Sequence, residues 1–70
     1  MIFRKGDIVH WYNDDRYIAI VLGTRKGLNG KDRFMIRWIA VPKEAGFNSD
    51  KPQDHTPLNF VLMVKNNAIQ

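Results

Sequence analysis

The sequence predicts an all-β chain: a small barrel of four to five antiparallel strands with a long loop at about residues 42–57. Three observations carry that reading. Four runs are rich in β-branched and aromatic residues, which suit a pleated surface. No window repeats its apolar residues with a 3.6-residue period, so no long helix is expected. Turn-forming residues separate the runs.

Seventy residues make one domain, 1–70. A chain this short buries only about 60% of the surface its unfolded form exposes, so modest stability is expected. The apolar fraction of 44%, with four Phe, two Trp and two Tyr, is enough for a core and argues against disorder. Cysteine is absent, which excludes disulfides and thiolate zinc sites. The opening Met-Ile-Phe-Arg-Lys-Gly-Asp has no apolar run after its basic residues, unlike a signal peptide. No stretch approaches the ~20 apolar residues of a membrane span. The expected setting is therefore the cytoplasm of a host cell or a virion, with no membrane partner.

The first run is Ile8-Val9-His10-Trp11-Tyr12, entered through Gly6-Asp7. A polar turn at Asn13-Asp14-Asp15 follows, where Asn and Asp side chains can bond nearby backbone. The second run is residues 17–22 and the third is residues 33–41. Between them Asn29-Gly30 predicts a hairpin with a two-residue type I′ loop. Residues 42–57 hold all three prolines, with a single helical turn expected around Lys43-Glu44-Ala45. The fourth run, Phe60-Val61-Leu62-Met63-Val64, follows that loop.

A two-residue loop would set Val21 opposite Trp38, Gly23 opposite Ile36 and Arg25 opposite Phe34. One side of the ribbon then carries Ala19, Val21, Gly23, Phe34, Ile36 and Trp38, a good core face. The other carries Ile18, Ile20, Leu22, Met35, Ile39 and Val41, interrupted by Arg37. A ribbon with one solvated face should alternate cleanly, and this one does not. Either the strands bend so that both faces are partly buried, or something covers the second face. A two-fold homodimer through Ile18, Ile20, Leu22, Met35 and Ile39 would do so. So would the 42–57 segment, through Phe47 and Leu58.

Gly6-Asp7-Ile8-Val9-x-Trp11, then a polar turn, Ile18-Ala19-Ile20-Val21-Leu22-Gly23, Phe34-x-Ile36-x-Trp38 and a late Leu62-x-Val64 form a pattern. It resembles small SH3-like and Tudor-like barrels, most of all the stand-alone SH3-like proteins of tailed bacteriophages and their hosts. The likeness covers roughly residues 4–41 and 58–65. Its motifs are individually weak, and their order speaks for fold more than for function. The Tudor-like resemblance implies an aromatic cage for methylated side chains near the first turn. Trp11, Tyr12 and Tyr17 stand in matching places, with Asp14 or Asp15 as its acidic member.

Charge is the sharpest compositional signal. Residues 25–37 hold Arg25, Lys26, Lys31, Arg33 and Arg37 against Asp32, which accounts for the whole net charge of +4. The stretches on either side are neutral. A basic β-ribbon suits a phosphate backbone, so the leading expectation is weak, salt-dependent nucleic-acid binding through the hairpin 24–38. Arg25, Lys26, Lys31 and Arg33 would meet phosphates, Arg37 would support them, and Tyr12 or Tyr17 would stack on bases. A solvated tip kept soluble by its cations is the plainer reading. The rival functions are a protein-interaction or structural module, such as a phage-encoded subunit on a larger assembly, and a peptide binder using Trp11, Tyr12 and Tyr17.

Catalysis is not expected. A Ser-His-Asp set would have to draw Ser49, His55 and Asp50 or Asp54 from one loop without a rigid frame. His10 with Asp14 and Asp15 lacks any zinc or calcium spacing. Gly23, Gly27 and Gly30 do not open a helix and so form no phosphate loop. No cofactor is expected.

Overall fold

Gly6 and Asp7 build the turn that leads into the sheet. In the computed structural model, which describes residues 3–46 and 51–65, Gly6 adopts φ +92°, a region that side chains disfavour. The Asp7 carboxylate is buried and accepts the Arg4 backbone N–H at 2.9 Å. The Asp7 N–H donates back to the Arg4 carbonyl at 3.0 Å. Gly6 N–H and Asp7 C=O then pair with Val21 at 2.8 and 2.9 Å, which docks the turn on the sheet. This sets Phe3 in the core, its ring stacked on Phe34 with centroids 5.6 Å apart.

Five strands follow: β1 (Ile8–Trp11), β2 (Asp14–Lys26), β3 (Asp32–Ala40), β4 (Gln53–His55) and β5 (Phe60–Val64). They form one antiparallel sheet in the order β4-β3-β2-β1-β5. The fold is all-β, as expected, and barrel-like without closing, so β4 and β5 are its edges. No helix among the described residues is long and apolar enough to cross a membrane.

The long loop at 42–57 needs correction. A 3-10 turn occupies Lys43–Ala45, where one helical turn was expected, and ends at Gly46 with φ +72°. The segment then supplies β4, and a second 3-10 turn, Pro57–Asn59, leads into β5. Gln53-Asp54-His55 has no apolar residue, so periodicity could not reveal it. Its strand conformation comes from pairing with β3, His55 opposite Phe34 and Gln53 opposite Ile36.

The hairpin register is also different. The Gly30 N–H donates to Gly27 O at 3.0 Å and the Gly27 N–H to Lys31 O at 2.7 Å, closing a three-residue loop with Gly30 at φ +79°. That geometry is a turn followed by a left-handed glycine, so Asn29-Gly30 does not form a type I′ loop. Val21 consequently opposes Ile36, Ala19 opposes Trp38, and Arg25 opposes Arg33. The register also slips between Val21 and Gly23 and between Ile18 and Ala19, leaving Leu22 and Ile39 without a partner. Such bulges bend a strand and increase its twist.

The core collects Phe3, Val9, Ala19, Val21, Phe34, Ile36, Trp38 and Phe60 on the concave side, with Trp11, Tyr17 and Val41 packed against it. Five of the six expected ribbon core residues are there. Gly23 is not: the bulge sets it opposite Met35 on the convex side. Val41, expected on the second face, packs against the core. Ile18, Ile20, Leu22 and Met35 are half-buried and Ile39 is exposed. Bending is thus the part of the two-way choice that is met. Leu58 is 90% exposed and does not cover the second face, and Phe47 lies outside the described residues.

Candidate functional site

The two-residue connection after β1 sets Trp11 opposite Asp14 and brings the start of β2 beside the end of β1. On the concave side, Trp11 from β1, Tyr17 from β2 and Trp38 from β3 converge there. β4 crosses their open end and adds Gln53 and His55. Together with Asn13 and Asp14 these residues line a pocket of about 440 Å³. That falls in the ~300–1,000 Å³ range of small-molecule sites. Both tryptophans of the chain line it.

The rings stand across one another. Tyr17 and Trp38 meet at 72°, Trp38 and His55 at 79°, and Trp11 and His55 at 75°, with centroids 5.8 to 6.4 Å apart. Phe60, outside the lining, packs behind these rings, 5.4 Å from Trp11 and 5.5 Å from His55. These edge-to-face contacts lock the rings against one another.

Hydrogen bonds hold two of the walls. Trp38 Nε1–H donates to Gln53 Oε1 at 3.0 Å, and His55 Nε2 lies 3.0 Å from the same oxygen. An indole N–H only donates, so the Gln53 atom facing it is the carbonyl oxygen. That oxygen only accepts, so His55 carries its proton on Nε2. Burial lowers the His55 pKa, the Arg33 charge lowers it further, and Asp54 opposes both. The imidazole is therefore neutral near pH 7 and adds no positive charge to the pocket.

The rim is an ion-paired clasp. Asp14 Oδ1 accepts the Arg16 N–H and Nε–H, both at 3.0 Å, and Oδ2 accepts Nη2–H at 2.8 Å. Arg16 Nη1–H reaches Glu44 Oε1 at 2.8 Å, tying the start of β2 to the 3-10 turn at 43–45. Hydrogen bonding from Arg16 lowers the Asp14 pKa, and backbone and Arg16 hydrogen bonds lower that of Glu44. The three groups carry one net negative charge. Arg16 and Glu44 are solvent-exposed and Asp14 is half-buried, so the clasp fixes geometry more than it adds stability.

Compared with known proteins, the chain matches no family model, no curated protein and no solved structure. The site is therefore read from its geometry alone.

Of the three first-turn aromatics expected at a ligand site, Trp11 and Tyr17 line the pocket. Tyr12 does not: it is 60% exposed, its ring tilted against Trp11. Asp14 lies on the lining and Asp15 is outside it. Sequence reasoning missed Trp38, Gln53 and His55 as pocket residues. Trp38 read as plain core, and β4 left no periodic signal.

The basic hairpin is at the other end of β2. Arg25 pairs with Asp54, Lys26 with Asp32 at 2.7 Å, and Arg33 approaches Asp54 Oδ2 at 3.6 Å. Asp54 comes from β4, outside residues 25–37, and takes one unit off the cluster. Lys31 and Arg37 are exposed. Tyr12 and Tyr17, expected to stack on bases beside these cations, sit at the opposite end of the strand pair. His10, considered as a metal ligand, instead donates from Nδ1–H to Trp11 O at 2.9 Å. Ser49 and Asp50 lie outside the described residues.

Proposed function

We propose that this chain is a non-enzymatic binding module of the SH3-like, Tudor-like kind, and that its pocket receives a methylated ammonium group on a peptide side chain. The observation that carries the proposal is the set of crossed aromatic walls formed by Trp11, Tyr17, Trp38 and His55. Ring faces attract cations, and a methylated ammonium sheds its water more readily than a bare one. The neutral His55 and the single net negative charge of the Asp14–Arg16–Glu44 clasp support a cation over an anion.

Calorimetry with a trimethyllysine peptide and its unmethylated counterpart tests the reading. The methylated peptide should bind about 10-fold more tightly, within the cation–π range. Tyr17→Ala should remove that preference. Equal binding of the two peptides would rule the reading out.

A second reading is salt-dependent nucleic-acid binding through the hairpin 24–38. It is supported by the exposed cations Lys31 and Arg37 and by a loop that carries Leu28 fully into solvent. Replacing Lys26, Lys31 and Arg33 with Gln should then abolish binding to a short duplex at low salt. Unchanged binding would remove the hairpin from consideration.

A further inference from the structure

We infer that β5 is a pairing edge for a second copy of this chain, which adds its own β5 antiparallel across a two-fold axis centred on Leu62. The two edges of the sheet are built differently. β4 is three residues long and polar, with Asp54 occupied by Arg25 and Arg33. Short length and charge are the ordinary protection of an edge. β5 has neither. Phe60-Val61-Leu62-Met63-Val64 contains no charge and no proline, and among the described residues it pairs on one side only, with β1. Val61, Leu62, Met63 and Val64 are 42–55% exposed. An edge whose outer backbone groups meet no strand among the described residues, flanked by apolar side chains, is a template for another strand.

The chemistry selects a like strand. In an antiparallel pair centred on Leu62, Leu62 meets its own copy, Val61 meets Met63, and Phe60 meets Val64. One step further, Lys65 meets Asn59. No like charges are opposed, as an isologous contact requires. Packing the convex faces together is less suitable. Arg37 stands opposite Ile20 in the middle of that face and would be buried against apolar surface or a second arginine. The pairing is continuous with the convex apolar surface, because Val64 sits beside Ile8 and Ile8 beside Ile20.

One feature weakens the edge. The slip between Ile8 and Val9 leaves Met63 opposite no residue of β1, and such a bulge adds twist. A five-residue strand pair also buries less than the ~800 Å² per partner of a standard interface. The association is therefore weak and concentration-dependent.

Sedimentation velocity of the full chain from micromolar to millimolar concentration tests this. The mass should rise from one chain toward two. Leu62→Lys and Leu62→Glu should each remain single at every concentration, because the substitution opposes like charges across the axis. Mixing the two variants should restore the two-chain species, which shows that both still fold and that residue 62 meets residue 62. A wild-type chain that stays single at millimolar concentration overturns the inference. So does a Leu62→Lys chain that pairs like wild type, or a mixture that fails to associate. If Ile20→Lys abolishes pairing and Leu62→Lys does not, the convex face is the contact and the β5 edge is not.

Discussion

The two ends of the β2–β3 hairpin invert what the sequence suggests about them. At the tip, residues 25–37 concentrate all the net charge, yet Arg25, Lys26 and Arg33 each lie against a carboxylate. The tip is convex. The sequence stretches that build the base sum to no charge, and no motif in them is dense. There, side chains from four strands meet as a pocket with crossed aromatic walls. A run of like charges in one window counts only local neighbours, and Asp54 reached the tip from β4, 29 residues beyond Arg25. Concavity is produced by long-range pairing, which no window contains. The difference favours the base as the place where a ligand is held.

The largest expected effect comes from removing a wall. Trp38 is 6% exposed, packs on Phe60 and Tyr17, and anchors Gln53. Trp38→Ala should cost about 3–5 kcal/mol in a denaturant melt, the range for a buried aromatic, and abolish peptide binding. Lys31→Gln at the tip should change neither. Equal losses from the two substitutions would erase the contrast between the ends.

Next in size is the tip's own backbone. Gly30 is at φ +79° with open space around its Cα, so an added side chain meets no clash but must hold a left-handed conformation. Gly30→Ala should destabilise by about 1 kcal/mol while peptide affinity stays unchanged. A fall in affinity would mean that the two ends are coupled.

A smaller effect is set by pH. The folded-state pKa of His55 is lowered, mainly by burial, below its unfolded value. Between those two values the unfolded chain binds more protons, so stability rises with pH there and levels off above about 6.5. The carboxylates of Asp14, Asp32 and Glu44 also have lowered pKa values, and their contribution is lost at more acid pH. A protonated His55 would also repel a cationic ligand, so affinity should fall as pH drops through the same window. His55→Gln should flatten both profiles, measured by denaturant unfolding and by titration. Profiles unchanged by that substitution would assign the dependence elsewhere.

The smallest effect belongs to the rim. Arg16→Ala releases the half-buried Asp14 and the exposed Glu44 at the surface, so the melting curve should barely move. Peptide affinity should change by a few-fold at most. A large loss of stability would show that the clasp holds the fold.

Much of the fold could be read from the chain because its core strands obey local rules. Ile8–Trp11 and Phe60–Val64 stand where β-branched and aromatic density put strands, and the parity of Ala19, Val21, Phe34, Ile36 and Trp38 holds. The bulges at Leu22 and Ile39 are invisible locally, because they come from bending the ribbon around a core. That bending changes which residues face each other while keeping most of them on the expected side. Trp11 and Tyr17 were singled out through the Tudor-like resemblance, and both line the pocket. Gln53 and His55 were not, because a three-residue polar strand gains its conformation only from its partner.

The most direct test uses the two tryptophans, both of which line the pocket. Their indole N–H signals are followed by NMR during titration with two peptides. One carries a trimethylammonium side chain and the other a neutral tert-butyl group of the same shape. The account predicts saturable shifts of both signals with the cation and much weaker binding of the neutral group. Equal binding would make the pocket an apolar socket without charge preference, and unmoved indole signals with both peptides would contradict the site itself.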